Sequence, residues 1–576
     1  MFLPMSIKKM LVKLSTCIFL LFFGCTLTAI ADAQNNTFSF TNPVIRGGFP
    51  DPSICRDGED FYVVNSSFEY FPGLPIHQSK DLVNWQLIGH GLHRPDQLNG
   101  VVNLMDVQSD GGIHAPSLRC VNGKFYVITT NVYSPPGDNG KTEFINFVIT
   151  ADDINGPWSE PHVLEGAPGI DPDIFFDDDD RVWYVGTHSP EKPNFPGEGE
   201  IWLQEIDTKH WRLKGERHLL WRGACGGVWA EGPHLYKHDG RYYLMVAEGG
   251  TSFNHAVMIA VSDNIVGPYL SNPRNPILTS RHLSYDYWVN STGHADLVEL
   301  EDGRWYMVAL GIRGDYQRRS NMGRETHLLP VTWEREPFEW QEIKYLWPVA
   351  APSTGRVELF NPLPFKNSPQ KLESEFSDEF GSPNLNVQWN FRRLPQEGSF
   401  SLTVRPGYMR LYAKPEVIAE RQRASLTGFR QTESDFTFSA RMLFDPTDEG
   451  SEAGISLFQK DDNYINFTIS KNAGQALLQV TLAVPGKAPE VVWKTPLTEY
   501  AGSMQFRVDS GRGSYRFSYS LDGGKSFLET PEVSAGLILS TGYTGANLGL
   551  YSTGNGKLTE DFADFDWVNY KGVPRD

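Results

Sequence analysis

The chain has 576 residues, more than one hydrophobic core ordinarily spans, so two or three domains are expected. Its 70 acidic against 51 basic side chains leave a formal charge of −19. With no basic stripe along the sequence, that charge argues against nucleic acid or an anionic membrane surface as partner, whereas a neutral ligand such as a sugar raises no such conflict.

Residues 1–33 read as a targeting leader. Lys8, Lys9 and Lys13 precede an apolar run over 14–25, and small-residue motifs follow at Ala29-Ile30-Ala31 and Ala31-Asp32-Ala33. The run is shorter than the roughly 20 residues of a spanning helix. Export with cleavage, to the periplasm or beyond, is therefore expected rather than a membrane span. Gly24-Cys25 offers a weaker lipoprotein reading, since Phe22 and Phe23 suit a lipobox poorly. The remaining cysteines, Cys55, Cys120 and Cys225, have no CxxC spacing, which argues against a zinc site and allows at most one disulfide.

An internal repeat organises the next 300 or so residues. Its copies read PDPSICRDGEDFYVV from Pro50, HAPSLRCVNGKFYVIT from His114, DPDIFFDDDDRVWYVG from Asp171, EGPHLYKHDGRYYLMV from Glu231 and HADLVELEDGRWYMVA from His294. Each is a short strand, a turn rich in Asp, Asn and Gly, and an aromatic, β-branched strand: a hairpin. Starts about 60 residues apart leave room for two more strands per interval, hence four-stranded units arranged radially. The fold class predicted is all-β: a five-bladed β-propeller over 34–350, a Pro-rich linker or extended wrap over 351–374, and a β-sandwich over 375–576. The sandwich rests on period-two apolar runs, among them Phe400, Leu402 and Val404; Phe436, Phe438, Ala440 and Met442; and Met504, Phe506 and Val508.

In a propeller the innermost strands line the axis, so equivalent positions of different blades face one another. Aligned on the central Pro, these positions are Asp51, Ala115, Asp171, Gly232 and His294, with Glu231 one residue before Gly232. Three carboxylates and a histidine then share one funnel. Like charges held together push pKa values apart, leaving one carboxyl protonated while another is ionised. Glycosidic hydrolysis by inversion needs that pair: an acid for the leaving oxygen and a base for the attacking water. Asp173 is a rival to Asp171 but falls one step along the strand. Residues 177–180 read as a solvated turn, a role shared with Asp57, Asp60 and Asp302, and His77, His90 and His162 as ordinary packed or surface histidines.

The motifs NPVIRGGFPDPSICRDGEDFYVV, SSFEYFPGLPIHQSKDLVNW, GIDPDIFF, AEGPHLY, GHADLV and GRETHLLPV, in that order, resemble glycoside hydrolase family 43, on its β-xylosidase and α-L-arabinofuranosidase side. The C-terminal part resembles the concanavalin A-like sandwich of such β-xylosidases. The resemblance implies an inverting enzyme acting on plant cell-wall xylan or arabinoxylan fragments, with Asp51 as general base, Glu231 as general acid and Asp171 as the carboxylate that raises and orients the acid. It further implies Phe68 as a sugar-subsite wall, Arg324 as a donor to substrate hydroxyls and His294 beneath the acids. No cofactor is required, with room left for a structural calcium in the sandwich or a water-bridged ion beneath His294. Where several xylosidases of the family carry Trp, this chain has His114, a departure that bears on the choice between xylose and arabinofuranose. The loop TGYTGANLG over 541–549 resembles one by which the sandwich reaches the active site, favouring a pocket and exo action. An arabinan-cleaving hydrolase, a retaining fructosidase and a non-catalytic glycan-binding propeller are the alternatives.

Overall fold

A computed structural model describes residues 38–574 apart from 138–139, 225, 315–318, 341–342, 373, 420, 512 and 539–542. The predicted leader and Cys225 lie outside the described residues. Five antiparallel sheets follow one another along the chain, with innermost strands Ser53–Asp57, Gly112–Val121, Ile170–Phe176, Glu231–His238 and Val289–Glu299. These are the five blades, I to V, each led by one copy of the repeat.

Period-two alternation gives every blade two apolar faces, and each interblade gap holds its own core. In blade I, Ile54, Phe61 and Val63 pack on Val298, Tyr306 and Val308 of blade V, while Tyr62 and Val64 turn toward Leu118, Phe125 and Val127 of blade II. Blade IV divides in the same way, with Leu244 and Val246 against blade III and Tyr243 and Met245 against blade V. Blades I and II are also joined by a disulfide between Cys55 and Cys120. The amino-terminal segment stitches the ring shut through backbone hydrogen bonds of Val44 and Ile45 with Thr326 of blade V. The Pro-rich segment wraps back over the propeller, pairing Phe360–Pro362 with Ser39–Thr41 and burying Leu363 in the gap between blades V and I.

The sandwich packs two antiparallel sheets around one core that includes Phe436, Phe438, Ala440, Met442, Phe467, Phe506 and Phe517. One expected strand is cut short: Phe400–Ser401 is the paired part, and Val404 faces solvent at 59 % exposure in the turn beyond it. The propeller enters one sandwich sheet directly, because Tyr70–Phe71 of blade I pairs with Asn390–Arg392 at its edge. Buried ion pairs reinforce this junction. Arg392 and Arg393 meet Asp461, Arg392 also meets Glu69, and Arg313 bridges Glu325 and Glu433. Among the described residues no helix is long and apolar enough to cross a membrane.

The residues at 177–180 do not behave alike. Asp178, Asp179 and Asp180 are exposed, whereas Asp177 is buried and accepts hydrogen bonds from Lys237 Nζ and Tyr242 Oη, both at 2.8 Å. The first carboxylate of the run thus fastens blade III to blade IV instead of being solvated.

Candidate active site

The five repeat-equivalent positions share a backbone conformation that four of their five residues adopt at a cost. Asp51, Ala115, Asp171, Gly232 and His294 have φ of 51°, 37°, 54°, 56° and 42°. For the non-glycine residues this left-handed geometry costs on the order of 1 kcal/mol each. In four blades the ladder slips register around this point, between His114 and Ser117, Ile170 and Asp173, Glu231 and His234, and within 290–295. Such irregularities re-aim side chains beside functional sites. Here they tip the first residues of the inner strands into the mouth of the funnel. Gly232 is required twice over: its φ is positive, and an added Cβ would lie 2.9 Å from His294 Cε1.

The mouth is a pocket of about 380 Å³ lined by Asp51, Asp171, Glu231, His114, His294 and Arg324, together with Trp229, Thr251, His255 and Tyr543. Asp51 is the most tightly held. Ser66 Oγ donates to its Oδ2 at 2.6 Å, Arg324 Nη1 donates to its Oδ1 at 3.0 Å, and His294 Nδ1 stands 3.7 Å away. Ser66 is itself fixed by the Ala115 amide at 2.7 Å. Burial works against its charge, yet the Arg324 guanidinium, His294 and Ser66 together hold its pKa below the ordinary carboxylate value.

The other two carboxyls go the opposite way. Burial, then the negative charge of Asp51, pushes Glu231 up to about 7 against the opposing pull of Arg324. Burial, then the charges of Glu231 and Asp51, raises Asp171 well above its ordinary value. The two titrate as a pair that keeps a proton into the neutral range. Asp171 Oδ2 accepts from the Gly232 amide at 3.1 Å, which fixes that carboxylate against the strand, while Glu231 is only half-buried. His114, His294 and His255 are pushed down to about 4, about 4 and about 3, burial being the main cause in each, so the imidazoles are neutral.

Asp173, the rival to Asp171, does not line the pocket. It is buried one layer down the axis, 2.6 Å from Arg119 Nη2, and that guanidinium also meets Asp296 at 3.2 Å and His234 Nδ1 at 3.0 Å. Sequence reasoning missed Arg119 because no other copy of the repeat has a cation at its position. Arg119 is thus balanced by two carboxylates in the layer beneath the pocket. Among the described residues no group of three or more His, Cys, Asp or Glu side chains is placed to hold a metal.

Phe68 is 2 % exposed and stands behind the pocket wall instead of forming it. Tyr543, from the sandwich, lies over it with rings stacked at 5.7 Å, and both rings carry the Arg324 guanidinium, at 5.5 Å from Phe68 and 5.1 Å from Tyr543. His114 meets Phe68 edge-on at 4.8 Å. Arg324 is committed first to Asp51 and to Thr251 Oγ1 at 2.9 Å, while its buried Nε has no hydrogen-bond partner among the described residues. Tyr543 is fixed by its amide donating to Asp110 Oδ1 at 3.1 Å, the other oxygen of Asp110 being paired with Lys460 of the sandwich. The Ala546 amide donates to Asn321 O at 2.6 Å, three residues before Arg324. Thr541 and Gly542 lie outside the described residues.

An ionised carboxylate and a protonated one lining the same pocket are the equipment of a hydrolase that splits an acetal by acid and base. The family model of Glycosyl hydrolases family 43 matches residues 40–337, and that of the Beta xylosidase C-terminal Concanavalin A-like domain matches 377–571. The chain is 37 % identical to a xylosidase/arabinosidase of Butyrivibrio fibrisolvens over 92 % of its own length and 99 % of the relative's. It is 35 % identical to the non-reducing end alpha-L-arabinofuranosidase BoGH43B of Bacteroides ovatus, over 97 % and 99 %. The solved xylan beta-1,4-xylosidase from Bacillus halodurans C-125 superposes with a TM-score of 0.82 at 30 % identity, covering 92 % of this chain and all of that one. The chain belongs to glycoside hydrolase family 43 and is a glycosidase.

Proposed function

We propose that the protein is an exported, exo-acting, inverting glycosidase that releases single pentose units from xylan- or arabinoxylan-derived oligosaccharides, with β-xylosidase activity favoured. The observation that carries the reading is the divergence of the site's carboxyls. Asp51 is held ionised by Arg324 and Ser66, while Glu231 and Asp171 together retain a proton. Asp51 then accepts a proton from the attacking water as Glu231 protonates the leaving oxygen. Asp171, fixed by the Gly232 amide, keeps the acid's affinity for its proton high through like-charge repulsion. Both proton transfers are supplied by protein carboxylates, so no cofactor enters the step.

Exo action is supported by Tyr543, which brings the sandwich to the wall of the pocket beside the three carboxyls. Export is supported by the leader at 1–33. The pentose is supported from two sides, since relatives of similar identity are named for xylosidase and for arabinofuranosidase activity. The deciding experiment compares hydrolysis of 4-nitrophenyl β-D-xylopyranoside and 4-nitrophenyl α-L-arabinofuranoside, with xylo-oligosaccharides alongside, by the mature protein and by Glu231→Ala. Preference of the mature protein for the xyloside, with Glu231→Ala impaired far more on xylo-oligosaccharides than on the nitrophenyl glycosides, supports the reading. Turnover of neither, with xylan binding intact, overturns it in favour of a glycan-binding propeller.

A further inference from the structure

Trp229 is the least expected residue of the pocket. It is 51 % exposed while lining the same cavity as the three carboxyls, and its φ is 51°. A bulky residue in the left-handed region is a genuine outlier, retained only where its surroundings impose it. The surroundings do so here: its amide donates to Gly197 O at 2.6 Å, and the Gly249 amide donates to Val228 O at 2.8 Å. Two glycines back the indole, because a Cβ added at Gly197 or at Gly250 would come within 3.0 Å and 2.9 Å of its ring. No aromatic ring of the described residues stacks on it. The fold therefore holds a large apolar plate rigidly at the edge of a polar pocket and leaves half of it open to water.

We infer that Trp229 is the stacking platform for the leaving-group sugar, the residue of the oligosaccharide just beyond the bond to be cut. This rests on the exo-glycosidase reading above. Glu231 must reach the leaving oxygen to protonate it, so the leaving sugar lies on the Glu231 side of the pocket. Two residues of chain span at most about 7 Å, which keeps Trp229 beside that oxygen. Asp51, Arg324, His114 and Tyr543, in contact with one another, line the rest of the pocket and are the groups left to hold the terminal sugar. The open side, where a chain of further sugars must leave the pocket, is where the indole is exposed. A pyranose presents an apolar C–H face to such a plate, and a rigid aromatic offers contact area at little entropic cost. Trp229 is thus a specificity residue for oligosaccharide over bare glycoside.

The test uses the full mature chain and two substrates of whichever pentose the wild-type enzyme releases: the oligosaccharide, and the glycosyl fluoride, which has no leaving-group sugar. For Trp229→Ala, kcat/KM on the oligosaccharide is expected to fall roughly tenfold, with the fluoride rate within about twofold of wild type and Trp229→Phe recovering most of the loss. The fluoride rate reports that the carboxyls are intact. Equal losses on both substrates, or no loss on the oligosaccharide, would overturn the inference. A wild-type protein that cleaves neither substrate overturns the exo-glycosidase reading, and this inference with it.

Discussion

Replacing Arg324 with Gln removes the cation whose Nη1 lies 3.0 Å from Asp51 Oδ1, in a site where both residues are buried. Two unit charges about 4 Å apart interact by about 4 kcal/mol at an effective dielectric of 20, which bounds what the guanidinium contributes to keeping the base ionised. Ser66 still donates at 2.6 Å, so part of that stabilisation survives. The sign follows directly. Loss of the cation raises the Asp51 pKa, the base becomes protonated at a higher pH, and the acid limb of kcat/KM moves toward neutrality. At pH 5 the variant should run roughly tenfold or more below wild type and recover part of the difference as the pH rises. Arg324→Lys, which keeps a charge without the planar fork, should move the limb less. The assay is kcat/KM on a nitrophenyl pentoside across pH 4 to 9, with circular dichroism to establish folding. A uniform drop with the acid limb unmoved would refute the argument and leave Arg324 with substrate contact alone.

Further predictions concern the acid and the architecture. Asp171→Asn removes a like charge beside Glu231, so the acid should lose its proton more readily and the alkaline limb of kcat/KM should shift to lower pH. Glu231→Ala should lose about 10² to 10⁴ in kcat on xylo-oligosaccharides and far less on glycosides whose leaving groups need no protonation. The disulfide closes a sequence separation of 65 residues, so the Cys55→Ser, Cys120→Ser double variant should lose about 2–4 kcal/mol by denaturant titration with kcat unchanged.

The propeller was legible because five hairpins recur in phase, and the same phase picked out Asp51, Asp171 and His294 as equivalent positions. What the repeat could not foretell is what it does not repeat. Phe68 and Arg324 sit on loops and came from resemblance alone, and the layer in which Phe68 stands depends on Tyr543, which arrives from another domain 475 positions later in the sequence. Ser66, Thr251 and His255 are loop or strand-end residues whose roles follow from tertiary approach. Asp177 was misread because its solvent-like sequence context conceals Lys237 and Tyr242 reaching over from the next blade. Trp229 carried one faint signal, an aromatic two residues ahead of the acid, but its exposure and left-handed backbone are visible only in three dimensions.

The central claim, that one ionised and one protonated carboxyl act on opposite sides of a single displacement, is tested most directly by proton NMR of the first product. During hydrolysis of a β-xyloside whose leaving group is not a sugar, such as 4-nitrophenyl β-D-xylopyranoside, α-xylopyranose should appear first and the β-anomer only later, as mutarotation proceeds. Initial release of β-xylopyranose would show retention, and with it a covalent intermediate that contradicts the roles assigned to Asp51 and Glu231.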